Sequence, residues 1–214
     1  QLPFYLELMQ HLAIKGIPVP RPYADQQGQL FRPLAGKPAT LVSKLSGSDT
    51  AAPTPAHCAS VGRTSPQMHL AGRDLQRHQP NLRGLDWWQI MEDKVSAFLP
   101  DHIAELLRDE VAAQTAFAQT TTYKDLPIGA GHCDLFVDNV LFTDPDSPSF
   151  IDFYFAGIDT WLFDLAVTVN DWCIDRATGE LLPDHLNAML TAYHAIIPQT
   201  DNDQAAWGVM LRAA

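Results

Sequence analysis

The chain has 214 residues, 46% hydrophobic and 18% charged, with a formal net charge of −11. That length suits one large domain or two small lobes and is enough to bury a real core. The acidic balance argues against a nucleic-acid binder, which needs a basic face, and against an anionic membrane surface. No apolar run reaches the roughly eighteen residues that span a bilayer, and no signal-peptide pattern opens the chain. The cysteines are Cys58, Cys133 and Cys173. Their odd number, wide spacing and lack of a CxxC argue against a disulfide framework or a zinc site, and a cytoplasmic setting is expected.

In chain order, Tyr5, Leu8, Met9 and Leu12 give a helix over 3–15, with Gly16 as its stop and Pro18, Pro20 and Pro22 beyond. Two short strands are expected near 29–34 and 39–45, with Gly28 and Gly36 in the turns. Residues 46–54 are poor in large apolar side chains and read as a linker. Thr54 and Pro55 make a good helix start, and the helix should run to about His69 with a kink or break at Pro66. Residues 70–85 look irregular. Asp86 is expected to cap a helix to about Phe98, facing Trp88, Met91, Val95 and Phe98 inward. Pro100-Asp101 should open another to about Gln119, burying Ile103, Leu106, Leu107, Val111 and Phe117. Then come apolar strands at Val140–Phe142 and Phe150–Phe153, with turn chemistry over Thr143–Ser149 between them. A buried helix over 160–175 follows, then helices from Pro183 to Ile196 and from Asp201 onward. Both ends read as interrupted, so the expectation is a fragment of a longer chain.

The densest chemistry lies in His132-Cys133-Asp134-Leu135-Phe136-Val137-Asp138-Asn139, followed thirteen residues later by Asp152. Phosphoryl transfer needs a carboxylate to orient a hydroxyl and hard oxygen ligands for Mg²⁺. An H-x-D-x-x-x-x-N loop, a hairpin and an Asp at its far end supply those parts. Either Asp alone would pass as turn chemistry; the constellation at this spacing does not. Asp138 reads equally as a solvated loop residue or a member of the site.

The stretch 131–173, GHCDLFVDNVLF and IDFYFAGIDTWLFDLAVTVNDWC, resembles the aminoglycoside-phosphotransferase-like kinases. The wording DFYFAG, WLFDLA and NDWC is most similar to the bacterial homoserine kinases of that fold. Weaker similarity covers LPFYLELMQHLAIKGIPVP, LAGKPATLV and QMHLAGRD…GLDWW. The resemblance implies an α+β, two-lobed protein-kinase-like fold. Residues 1–46 would be the remainder of the small lobe and hinge, and 47–214 the mostly helical large lobe with a short β-hairpin. It implies ATP and Mg²⁺ as cofactors, Asp134 as base, Asn139 and Asp152 as metal ligands, and His132 as organiser of the loop. It implies that the backbone at Lys44, Leu45 and Ser46 meets the adenine, and that Asp164 braces the loop.

Three departures stand out. Cys133 replaces the usual Gly or Ala, Arg63-Thr64-Ser65-Pro66 interrupts what is usually a clean helix, and the phosphate-covering loop is missing before residue 1. Arg73, with His69 nearby, is a candidate for a substrate carboxylate, and Asn170 and Asp171 for an ammonium, with surface or structural roles as the alternatives. Trp172, also in the substrate set, reads more readily as core, as do Trp87 and Trp88. Glu7 pairs with a phosphate-binding cation or is a solvated helix residue. The leading expectation is transfer of the γ-phosphoryl of ATP to homoserine, feeding threonine synthesis. The alternatives are the same chemistry on an aminoglycoside, choline or a thiosugar, and a non-catalytic fragment. No nucleic-acid or membrane partner is expected.

Overall fold

A computed structural model describes residues 1–214. Helix α1 (Leu2–Ile14) buries Phe4, Tyr5, Leu6, Leu8 and Leu12. It stops at Gly16, whose φ of 84° lets Ile17 N–H turn back onto Leu12 O at 3.0 Å. Strands β1 (Arg32–Leu34) and β2 (Lys37–Ala39) form an antiparallel pair with Leu34 opposite Lys37. Both are shorter than expected. Pro33 and Pro38 remove ladder donors, and no second layer covers the ribbon, so Leu34 and Leu41 each stay 70% exposed. In place of a strand over 39–45, Val42 makes only an isolated bridge to Pro22.

Helix α2 runs from Pro55 to Gly72, straight through the break expected at Pro66. Thr54 caps it, accepting the His57 N–H, while His57 Nδ1 receives the Thr54 N–H at 3.2 Å. A proline in a helix interior costs about 3 kcal/mol. Packing offsets that cost here, because Cys58, Val61, Ser65, Pro66, Met68 and His69 are all buried. The Thr64 and Ser65 hydroxyls return to the Ser60 and Val61 carbonyls, each at 3.0 Å.

Helix α3 (Leu85–Val95) starts from Gly84, not from an Asp86 cap; Asp86 sits in the first turn, where its charge favours the helix dipole. A 3-10 turn, Ser96–Phe98, ends it, and Phe98 points outward at 87% exposure. Helix α4 (Asp101–Phe117) buries Ala104, Val111 and Gln114, leaving Ile103 and Leu106 on the solvent side. The α3–α4 pair is covered on one side only, so Phe98, Ile103 and Leu106, expected inside, stay exposed, while Val111 is buried as expected.

After the short α5 (Thr121–Lys124), β3 (Ile128–Gly131) pairs antiparallel with β6 (Gly157–Thr160), a pairing the sequence did not suggest. Inside it lies the expected hairpin, β4 (Val140–Phe142) with β5 (Pro148–Phe150), Val140 opposite Phe150. The strand expected to continue to Phe153 ends at Phe150. Asp152 adopts a left-handed conformation, φ 58°, and Phe153–Phe155 is a 3-10 turn. Helices α6 (Trp161–Trp172), α7 (Pro183–His194) and α8 (Asp201–Ala213) complete the chain. One core joins α1 (Phe4, Leu8, Leu12) to the hairpin (Val140, Phe150) and to α6 (Leu165, Ala166, Val169). No helix is long and apolar enough to cross a membrane.

Candidate active site

The 132–139 loop leaves β3 over the Asp164 carboxylate. A Cβ at Gly131 would lie 3.1 Å from that carboxylate, so any larger residue would press on it. Asp164 accepts the His132 N–H at 3.1 Å and the Cys133 N–H at 2.5 Å. It also accepts from His69 Nε2 at 2.7 Å, and His69 Nδ1 meets the Tyr193 hydroxyl at 3.0 Å. His69 lies parallel to Trp161, centroids 5.3 Å apart. Burial works to raise the Asp164 carboxyl, but the hydrogen bond and charge of His69, with help from His132 and the Cys133 N–H, outweigh it. Its value falls below the ordinary carboxylate range, so Asp164 is an anionic clamp on two successive loop amides.

Under that clamp Cys133 takes φ 61°, in the left-handed region that favours glycine. Burial drives its thiol well above the ordinary value, so it is no nucleophile. His132 is fully buried, with its ring 4.6 Å from that of Phe153. Its Nε2 donates to Ile151 O at 2.8 Å, and its Nδ1 has no partner. Burial lowers its pKa, which fits a neutral ring carrying its proton on Nε2. His132 therefore ties the loop to the residue before Asp152.

Asp134 is half-buried. Burial first, and the neighbouring Asp152 charge second, push its pKa up to about 6, against the opposing hydrogen bond from Asn139. Asn139 donates Nδ2 to Asp134 O at 2.7 Å and to Asp134 Oδ2 at 3.3 Å. Its Oδ1 is left for a ligand. The Ile151 N–H donates to Asn139 O at 2.9 Å, so the backbone joins Asn139 to the start of the Asp152 turn. The Asp134 and Asp152 charges thus repel each other, and carboxylate and amide oxygens are the ligand types that a hard divalent cation takes. No three His, Cys, Asp or Glu side chains converge anywhere in the chain, so such an ion would complete its shell with water or phosphate oxygens.

The remaining expected residues separate into three groups. Lys44, Leu45 and Ser46 lie in irregular backbone, next to the Ser48–Phe142 bridge onto β4. Glu7 pairs with Arg77 at 2.6 Å, and Arg73 lies 5.0 Å over the Trp161 ring. Asp171 accepts the Val137 N–H at 2.7 Å and pairs with Arg176 at 2.8 Å, so it holds the loop from its far side. Asn170 spends its amide on the Leu211 and Ala214 carbonyls at the end of α8. Trp172 is 1% exposed and donates to Leu135 O at 2.9 Å. Asn170 Nδ2 and Trp172 Nε1, two groups expected to face substrate, thus make bonds within the fold. The His69 partner of Asp164, and the Tyr193 hydroxyl behind it, were not anticipated. The signal for His69 was a lone histidine on the apolar face of α2.

The model of the phosphotransferase enzyme family matches residues 1–198. The chain belongs to that family. Within it, the whole chain is 53% identical to the homoserine kinase of Ralstonia nicotianae and 51% to that of Paraburkholderia phymatum. It spans 66% and 68% of those two proteins, about two thirds of the length of the curated relatives it matches. Among solved structures it is similar to an amicoumacin kinase in complex with AMP-PNP, Ca²⁺ and Ami: TM-score 0.77, 16% identity, 98% of this chain and 66% of that one. A choline kinase from Cryptosporidium parvum follows the same path, with TM-score 0.65, 14% identity, 99% of this chain and 68% of that one. At these identities the structural likeness carries the phosphotransferase fold, α+β and kinase-like, and nothing about the acceptor.

Proposed function

We propose that the chain carries the catalytic loop of a kinase that moves the γ-phosphoryl group of ATP to the side-chain hydroxyl of homoserine. The observation that carries this reading is identity of 51–53% to homoserine kinases along the whole chain, catalytic loop included. In this reading Asp134 orients the acceptor hydroxyl and takes its proton late, as the new P–O bond forms. A carboxylate cannot remove that proton in the ground state, because an alcohol is too weak an acid. Asn139 Oδ1 and the Asp152 carboxylate would hold magnesium, which supplies positive charge to the phosphate oxygens. His132 and Asp164 position the loop and handle no proton of the reaction. Backbone at 44–46 would meet the adenine. The test is turnover with Mg-ATP across L-homoserine, choline, an aminoglycoside and a thiosugar. Preferential phosphorylation of homoserine supports the proposal, and preference for any other alcohol defeats it.

A further inference from the structure

A pocket of about 310 Å³ opens between the start of α1, the turn at 82–87 and the 3-10 turn that follows Asp152. Gln1, Tyr5, Leu82, Trp87, Tyr154 and Phe155 wall it, and Arg83 is its one charged side chain. The Arg83 guanidinium lies 4.8 Å from the centre of the Trp87 ring and 5.7 Å from that of Phe155. Arg32, Arg63, Arg77, Arg108, Arg176 and Arg212 each meet a carboxylate, whereas Arg21, Arg73 and Arg83 meet none, and of these three only Arg83 lines this pocket. In a chain with 25 acidic residues, an arginine held between aromatic rings without an acidic partner keeps its fork of donors available.

Its backbone is also fixed relative to the catalytic segment. Asn81 Oδ1 accepts the Arg83 N–H at 2.9 Å, and Asn81 Nδ2 donates to Asp159 at 2.8 Å. The Asn81 N–H donates to Ile158 O at 3.1 Å. Gly157 admits this contact, since a Cβ there would lie 2.7 Å from Asn81 Cα. The turn bearing Arg83 is thus anchored on β6, a few residues after Asp152, and Tyr154 and Phe155 carry the chain from Asp152 into the pocket wall.

We infer that Arg83 recognises the α-carboxylate of an amino-acid acceptor in this pocket. A planar guanidinium matches a carboxylate with two parallel hydrogen bonds. No acidic side chain lines the pocket, so the ammonium of the acceptor rests on the aromatic faces of Tyr5, Tyr154 and Trp87. The inference rests on the proposed homoserine reading and names the group that selects an amino acid over other alcohols.

The experiment is calorimetric titration of the full chain with L-homoserine and with 3-amino-1-propanol, which is homoserine without its carboxylate. The unsubstituted chain is expected to bind homoserine more tightly. Arg83→Gln should weaken homoserine by roughly 10–100-fold, the worth of a charged hydrogen-bonded pair, and leave 3-amino-1-propanol unchanged. Arg83→Lys, which keeps the charge and loses the fork, should fall between. Equal homoserine affinity in the chain and in Arg83→Gln overturns the assignment and leaves the homoserine proposal standing. Equal loss of both ligands marks a deformed pocket and overturns the assignment too. An unsubstituted chain that binds no homoserine overturns both.

Discussion

At Asp134 two requirements oppose each other. In the proposed mechanism the carboxylate must be ionised to accept a proton, yet burial and Asp152 make ionisation costly and lift its pKa to about 6. Asp134→Asn keeps the shape and removes the charge. Its kcat should fall roughly 10²–10⁴-fold, with the KM for ATP little changed. The same variant, without magnesium, should be more stable than the parent at pH 7. The sign follows from proton binding: between the ordinary carboxylate pKa and about 6, the folded state binds more protons than the unfolded, so stability falls as pH rises through that window. After solvent screening of a half-buried group the gain is about 1 kcal/mol, or roughly 2–4 °C in Tm. It should vanish below pH 4. A variant that is less stable at pH 7 and within a few-fold in kcat would make Asp134 a brace instead of a base. Asp152→Ala should abolish magnesium-dependent turnover while the far-ultraviolet circular dichroism stays that of the parent; undiminished turnover would remove Asp152 from the metal site.

Among the elements, α2 and α7 decide whether the Asp164 clamp holds, because α2 carries His69 and α7 carries Tyr193. Gly62 is where they touch: a Cβ there would lie 2.4 Å from Met189 O. Gly62→Ala gains up to about 1 kcal/mol in helix propensity but forces the helices apart, so a net loss of about 1–3 kcal/mol is expected by urea titration. A stabilised variant would show that the contact is not tight. This scale also shows what the sequence discloses. His132, Asp134, Asn139 and Asp152 were legible because one loop and one hairpin carry them at fixed spacing. The His69–Asp164 and His69–Tyr193 contacts were not, since ordinary residue types meet there from elements distant in sequence. The β3–β6 pair escaped notice because Ile128-Gly129-Ala130-Gly131 has no apolar alternation. Pro66 misled because local propensity was outweighed by burial on both sides of α2.

For the whole molecule, the division proposed at residue 46 crosses the core, because α1 lies on its N-terminal side and packs with the hairpin and α6. The ribbon β1–β2 and the segment up to Ser48 are mostly exposed, whereas α1 shares the central core. Limited proteolysis should therefore cut first within 46–54, leaving a resistant piece that begins near Thr54. A first cut inside α6 or the hairpin would contradict that expectation. The net charge of −11 adds self-repulsion in the folded state. Raising ionic strength from about 0.01 to about 0.15 M shortens the Debye length from about 30 to about 8 Å and should raise Tm. A Tm that falls over that range would mean that surface ion pairs such as Arg77–Glu7 outweigh the excess charge.

The Asp164 clamp has a consequence in time. Because its carboxylate accepts two consecutive loop amides deep in the core, those protons can leave only when α6 separates from β3. The His132 and Cys133 amides should then exchange with deuterium as slowly as the α6 interior, at the rate of global opening, while the amide of the exposed Asp138 exchanges early. The loop would be as long-lived as the protein itself, its geometry set before any nucleotide arrives.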